Sequence, residues 1–202
     1  MTQATTGMPM NPGHGPAYVF DPGTLCLELL VTGGPGAYAV HESLRGPGDL
    51  ADWAARCRLR LDPARVAVGE AGLTAARALR DALWRAVLAH VGGGPLPAED
   101  VEAVNRAAAR PPLAPRMGPG GERSWALPAD AAAVLSTVAR DAVELFTGPL
   151  AERIRVCGSP DCELVFVDAS RPGRRRWCSM ERCGNRAKVR ALRARREADG
   201  RT

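Results

Sequence analysis

CGSPDC at residues 157–162 and CSMERC at residues 178–183 decide the fold of the C-terminal quarter of the chain. Four residues separate the cysteines within each pair, and fifteen residues separate the two pairs. Gly, Ser, Pro and Asp fill the first interval, and such turn-forming residues let both flanking side chains face one point. Four thiolates in a tetrahedron are typical of structural zinc sites. The spacing therefore predicts one zinc ion held by Cys157, Cys162, Cys178 and Cys183.

Two other uses of these cysteines stay open at this stage, a pair of disulfides and four ordinary buried thiols. No Lys or Arg precedes Arg45, so the short apolar run at residues 25–31 lacks the positive flank of a secretory signal. We therefore expect a cytoplasmic protein, and thiols in that compartment stay reduced and available to a metal. A catalytic zinc is disfavoured because four cysteines close the coordination shell and no His follows His90. Cys26 and Cys57 lie in apolar contexts and are predicted to be core residues.

The residues around the two pairs predict a small treble-clef-like module of knuckle, β-hairpin and helix. Residues 164–167 form a strand-like run, residues 171–174 a turn, and residues 175–177 a return strand. A helix is predicted from about residue 184 to about residue 198, with Val189 and Leu192 packed on the hairpin or on Trp177. Metal would replace a hydrophobic core that about fifty residues can barely supply.

Upstream of the cysteines the pattern is mainly helical. Apolar residues recur at helix spacing over residues 72–91, 98–109 and about 128–147, and a further helix over residues 49–57 has Asp49 as its predicted N-cap. Residues 18–40 predict an extended or weakly helical segment flanked by turns, so the helical domain is expected to have a short extended or hairpin segment near its start. Residues 116–127 predict a loop or hairpin. We divide the chain into a disordered tail at residues 1–16, a helical domain at residues 17–150 and a zinc module at residues 151–202.

The positive charge is concentrated in the zinc module. The whole chain has a net charge of +5, but residues 1–150 hold 13 Lys and Arg against 15 Asp and Glu, whereas residues 151–202 hold 14 against 7. A charge-rich helix is often only a solvated face, but a zinc module combined with a basic hairpin favours DNA as the partner. The predicted DNA-binding residues are Arg171, Arg174, Arg175, Arg176, Arg182, Arg186, Lys188, Arg190 and Arg193.

The C-terminal residues resemble the CGNR zinc-finger family, which is named for the tetrapeptide found here at residues 183–186. The resemblance also rests on the following residues: Phe166, Asp168, Ser170, Arg171, Arg175, Arg176, Trp177, Ser179, Met180 and Lys188. The upstream region resembles the ABATE domain that usually precedes this finger, through Leu27, Glu28, Thr32, Asp49, Leu50, Trp53 and the runs 78–83 and 140–143. Val31 stands where relatives tend to have Asn. The resemblance implies a bacterial protein linked to stress-induced transcription, with a finger that binds DNA.

These observations favour a zinc-dependent, DNA-binding transcription regulator whose helical domain senses a small-molecule effector or forms a homodimer. The alternative is an adaptor in which zinc scaffolds a protein-interaction surface and the arginines dock an acidic partner. We expect no enzyme, because no nucleophile–base pair, phosphate loop or paired carboxylates occur. We also expect no membrane association, because no apolar run is long enough to span a bilayer.

Overall fold

The computed structural model describes residues 7–10 and 17–199. Its first half contains a short hairpin followed by four helices. These elements are β1 (Met8–Met10), β2 (Tyr18–Phe20), α1 (Leu25–Leu30), a 3-10 turn (Gly36–His41), α2 (Pro47–Arg56), β3 (Val66–Ala67), α3 (Glu70–Val91) and α4 (Ala98–Ala108). The second half contains two further hairpins and two helices. These elements are β4 (Pro115–Met117), β5 (Arg123–Trp125), β6 (Ala129–Asp130), α5 (Ala131–Thr147), β7 (Ile154–Val156), β8 (Val165–Val167), a π-helical turn (Met180–Gly184) and α6 (Asn185–Asp199).

The helical domain contains a bundle of four helices, which are α1, α3, α4 and α5. Helix α2 packs on α3. Leu73, Leu79, Leu83 and Val87 supply the buried stripe of α3, as the periodicity predicts. From α2, Trp53 is fully buried and donates a hydrogen bond from Nε1 to the carbonyl of Glu28 at 3.1 Å. The mainly helical fold with a small C-terminal module is therefore confirmed. Within the described residues, none of the helices is both long and apolar enough to cross a bilayer.

The strands form two-stranded pairs. Strand β1 pairs antiparallel with β2, β4 with β5 and β7 with β8, whereas β3 and β6 pair in parallel. Within residues 18–40, where an extended or weakly helical segment was expected, Tyr18–Phe20 forms strand β2 and Leu25–Leu30 forms helix α1. The hairpin expected at residues 116–127 is β4–β5. Strand β1 also corrects the predicted tail, since Met8–Met10 pairs with β2 and buries the Met8 side chain. The remainder of that predicted tail, residues 1–6 and 11–16, lies outside the described residues.

Two predicted helix starts shift by a few residues. Helix α2 begins at Pro47 with Gly46 as its N-cap, and Asp49 is the third helical residue. The Asp49 carboxylate instead reaches back from the first turn and accepts hydrogen bonds from the amides of Arg45 and Gly46, at 2.7 and 2.6 Å. Helix α5 begins at Ala131, and Asp130 is its N-cap, accepting from the amide of Ala133 at 2.8 Å.

The predicted hairpin of the zinc module has a different partner strand. Strand β8 occupies most of the predicted run at 164–167, but it pairs with β7 and not with residues 175–177. In this hairpin Ile154 lies opposite Val167, and Val156 lies opposite Val165. The first cysteine pair lies in the loop between Val156 and Val165, at the tip of the hairpin. Residues 175–177 have no regular secondary structure, because the Arg175 amide donates its hydrogen bond to the Asp168 carboxylate and not to a carbonyl of a neighbouring strand.

Candidate zinc centre and nucleic-acid interface

The four predicted cysteines converge on one point. Their Sγ atoms all lie within 4.8 Å of one another, with Cys162 to Cys178 at 3.7 Å and Cys178 to Cys183 at 3.5 Å. Zinc bound at about 2.3 Å to four sulfurs in a tetrahedron sets the sulfurs about 3.8 Å apart. A disulfide requires about 2.05 Å, and all six cysteines of the chain are free thiols. The spacing fits zinc, and the disulfide alternative is excluded.

Two tight backbone turns place these sulfurs. At the tip of the β7–β8 hairpin, the Cys157 amide donates to the Leu164 carbonyl at 2.9 Å and the Cys162 amide to the Ser159 carbonyl at 3.0 Å. The second pair lies before and within the π-helical turn Met180–Gly184, where the Gly184 amide donates to the Ser179 carbonyl at 3.0 Å. A π-helical turn inserts one extra residue per turn. Cys183 is thereby directed back toward Cys178, and α6 starts immediately after the ligand.

Two N–H groups donate hydrogen bonds to the cysteine sulfurs. The Cys178 amide donates to Cys157 Sγ at 3.4 Å, and an Arg186 guanidinium nitrogen donates to Cys183 Sγ at 3.1 Å. The hydrogen bond between Cys162 and Cys178 lowers the pKa of the Cys162 thiol to about 5 and raises that of Cys178, and burial raises the pKa of Cys157. A hydrogen bond with Cys183 raises the pKa of Arg186, which keeps this cation charged beside the sulfurs. Zinc binds deprotonated cysteines, and the Arg186 cation would offset part of the charge of four such thiolates.

Aromatic residues cover the zinc centre on its inner side. Phe20 from β2 and Phe166 from β8 are buried, and they form one apolar cluster with Cys157, Cys178 and Cys183. The Arg175 guanidinium lies 4.2 Å from the centroid of the Phe166 ring. Phe20 was missed by the sequence analysis, because a strand more than 130 residues upstream gives no local signal of contact with the cysteines.

Asp168 holds the loop that leads to the second cysteine pair. Its carboxylate accepts hydrogen bonds from the amides of Ser170 and Arg175 at 2.9 and 2.8 Å, and the side chain is fully buried. Burial opposes ionisation of this carboxyl, but the hydrogen bonds outweigh it and lower its pKa. Asp168 therefore has a structural role in this loop. The Ser170 hydroxyl has no hydrogen-bond partner among the described residues.

The nine predicted DNA-binding cations fall into two groups. The first group makes contacts inside the module or with β2. Arg175 bonds the carbonyls of Trp177 and Cys178, Arg176 and Arg182 lie over the Trp177 and Tyr18 rings, and Arg186 and Arg190 bond Asp161. The second group consists of Arg171, Arg174, Lys188 and Arg193. The side chains of these four residues are exposed and form no hydrogen bond or ion pair within the described part of the chain. The same is true of the Arg195 and Arg196 side chains.

Asp161 joins the cysteine knuckle to α6. Its two carboxylate oxygens accept from Arg186 at 2.8 Å and from Arg190 at 3.2 Å, and the Ser159 hydroxyl bonds both Asp161 and Arg190. Hydrogen bonding with Ser159 and Arg190 lowers the pKa of Asp161 to about 2. The sequence pattern indicates only a turn role for Asp161. The spacing of Arg186 and Arg190, one helical turn apart, was the available signal for a shared carboxylate.

Val189 and Leu192 do not pack as predicted. Their side chains are 47% and 48% exposed, because α6 leaves the module at the π-helical turn and contacts little beyond it. Trp177 packs beside the turns instead, with ring atoms close to Gly158 and Gly184.

Two known family models match the chain, one upstream of the cysteines and one over them. The ABATE family, described as "Putative stress-induced transcription regulator", matches residues 23–149. The CGNR zinc finger matches residues 153–196, which include all four cysteines and the Asp161–Arg190 contact. No curated protein sequence matches the chain. The chain belongs to the ABATE family and carries a CGNR zinc finger with a structural zinc site.

Proposed function

We propose that this protein is a zinc-dependent, DNA-binding transcription regulator. The observation that carries the proposal is the set of exposed cations on the zinc module that bond no other residue of the described chain: Arg171, Arg174, Lys188, Arg193, Arg195 and Arg196. Unpaired arginines and lysines held on a rigid support are what a phosphate backbone binds. The family's description as a transcription regulator supports the same proposal.

In this proposal the helical domain has the regulatory role. It either senses a small-molecule effector or forms the surface of a homodimer. We place the protein in the cytoplasm, where the zinc thiolates stay reduced. We assign it no catalytic reaction. Zinc has a purely structural part, because four cysteines leave no coordination position for a substrate.

DNA binding is tested by fluorescence anisotropy with duplex DNA over a range of salt concentrations. The variant Lys188→Gln/Arg193→Gln removes two unpaired cations from α6. If both contact phosphates, the slope of log K against log salt becomes shallower by about 2. The matched control is Arg110→Gln/Arg116→Gln, which removes the same charge from exposed positions of the helical domain and should leave the slope unchanged.

Equal losses in both double variants would mean that only the net charge attracts DNA, and would contradict the proposed interface. No DNA binding by the zinc-loaded protein at physiological salt, combined with retention of an acidic protein partner, would favour the adaptor function instead. A Cys178→Ser variant should lose zinc and DNA binding together.

A further inference from the structure

A cleft of about 620 Å³ lies between the helical domain and the zinc module. Ligand pockets commonly have volumes of about 300–1,000 Å³ and often form at domain interfaces. One wall belongs to the helical domain and includes Gly33, Tyr38 and Trp84, and the opposite wall belongs to the zinc module and includes Glu163, Leu164 and Arg182. Three zinc ligands also line one end of the cleft, so a molecule bound there touches both domains.

The aromatic wall is built to stay in place. The Tyr38 and Trp84 rings are stacked, with centroids 4.0 Å apart and an interplanar angle of 11°. Trp84 is almost fully buried and donates from Nε1 to the Gly33 carbonyl at 2.7 Å. Trp84 covers one face of the Tyr38 ring, so the opposite face is the one that a bound molecule can contact. A flat ring or a cation binds well to such a face.

The charges around the cleft favour a cation over an anion. Zinc with four thiolates carries a formal charge of about −2. Both lining arginines are already engaged, since Arg182 lies 4.0 Å from the Tyr18 ring centroid and Arg186 bonds Asp161, and His41 is the other basic side chain of the lining. Glu163 is exposed and forms no ion pair within residues 7–10 and 17–199. Burial raises the pKa of Tyr38, and the negative charge of Glu163 raises it further.

We propose that this cleft binds a planar aromatic cation, which stacks on Tyr38 and pairs with Glu163. The proposal deepens the effector-sensing role proposed for the helical domain and does not depend on DNA binding. A molecule seated there is held by both domains at once. Its binding would therefore favour one arrangement of the helical domain relative to the zinc module. An effector in this cleft would influence the zinc module in this way.

The test is isothermal titration of the full, zinc-loaded chain without DNA. N-Methylquinolinium is the cationic probe, and 2-naphthoate is an anionic probe with a similar fused bicyclic ring. We expect saturable binding of the cation with a Kd below about 1 mM, and binding of naphthoate weaker by about tenfold or more. Because no DNA is present, failure of the probe to bind contradicts the cleft proposal and does not bear on DNA binding.

Two variants with matched controls locate the site. Ala37 lines the cleft and Ala39 does not, although both are exposed on the same 3-10 turn. Ala37→Trp should abolish binding of the cation and Ala39→Trp should preserve it. Glu163→Gln should weaken binding by about threefold or more, whereas Glu181→Gln, an exposed position of the same module outside the cleft, should not.

Zinc content and thermal unfolding of each variant establish that the module is folded. Tighter or equal binding of naphthoate, no saturation by the cation up to about 5 mM, or unchanged affinity in both Ala37→Trp and Glu163→Gln would overturn the proposal. If Ala37→Trp fails to fold, the Glu163→Gln and Glu181→Gln pair decides the outcome alone.

Discussion

Gly34 occupies a position where even a methyl group does not fit. A Cβ at this position would lie 2.5 Å from two atoms of the Trp84 indole and 3.0 Å from Tyr38 Cβ. Trp84 cannot move aside easily, because its ring is buried and bonds the neighbouring Gly33 carbonyl. The close approach of backbone to indole, and not an unusual φ angle, is what requires glycine here.

Gly34→Ala should therefore destabilise the protein by about 1–3 kcal/mol, as overpacked cores do. Gly48→Ala is the matched control, because a Cβ at Gly48 meets nothing within 4 Å and this residue lies in the first turn of α2. The control should be neutral or stabilising by up to about 1 kcal/mol. Chemical denaturation of both zinc-loaded variants checks this, and equal stabilities would contradict it.

Arg80 is a buried cation on α3. Its guanidinium is shielded from solvent and donates hydrogen bonds to both carboxylate oxygens of Glu42 at 2.8 Å and to Asp81 at 3.0 Å. Burial opposes ionisation of Glu42, yet the hydrogen bonds from Arg80 and Leu44 lower its pKa below the ordinary value of 4.5. A carboxyl with a lowered pKa stabilises the fold above its unfolded pKa, and this contribution is lost as pH falls through the folded pKa.

Glu42→Gln should cost about 1–3 kcal/mol near neutral pH, because it leaves Arg80 buried with one fewer charged partner. The difference in stability between wild type and variant should then shrink between about pH 5 and pH 3, as Glu42 is protonated in the wild type. Unfolding curves across this range measure the effect, and Glu144→Gln, an exposed position of α5, is the control. A pH-independent difference would be inconsistent with this ion pair.

At the scale of elements, α6 is fixed to the zinc knuckle by Asp161 more than by apolar packing. The two arginines that bond this carboxylate are one turn apart at the start of the helix, and the apolar residues farther along are half exposed. Amphipathic reasoning predicted the helix correctly but placed Val189 and Leu192 in a core. The periodicity of a helix indicates which residues share a face, but it does not show whether another element covers that face.

Asp161→Asn should loosen the first two turns of α6 without releasing zinc. We expect amide hydrogen exchange over residues 185–192 to accelerate by about threefold or more, while zinc stoichiometry stays the same. Glu163→Gln is a suitable control, since this neighbouring acid forms no ion pair within the described chain. Unchanged exchange in Asp161→Asn would mean that the zinc turn alone holds the helix.

At the scale of the whole molecule, the first strands and the zinc module share one core. Phe20 packs with three of the zinc ligands, and the Val167 amide donates to the Pro22 carbonyl at 2.8 Å. The cysteine spacing was sufficient to predict the ligands, because metal geometry restricts which residues can converge. The shared core could not be predicted, because contacts between distant segments depend on how α1–α5 place the two ends of the helical domain.

Removing zinc should consequently affect the N-terminal hairpin as well as the module. With excess chelator, we expect residues 18–20 and 154–167 to lose protection from hydrogen exchange, while α3 and α5 keep theirs. Cys178→Ser should reproduce this pattern, whereas Cys57→Ala, which changes a buried cysteine far from the zinc centre, should retain one zinc per chain. Loss of protection limited to the module would contradict a shared core.

Asp161 also affects how DNA binding should be measured. Arg186 and Arg190 share the Asp161 carboxylate, so the three groups carry less positive charge than two exposed cations do. They therefore neutralise less phosphate charge, release fewer of the cations condensed on DNA, and contribute less to the salt dependence. A count of phosphate contacts taken from the salt slope should therefore fall short of the number of arginines that touch the duplex.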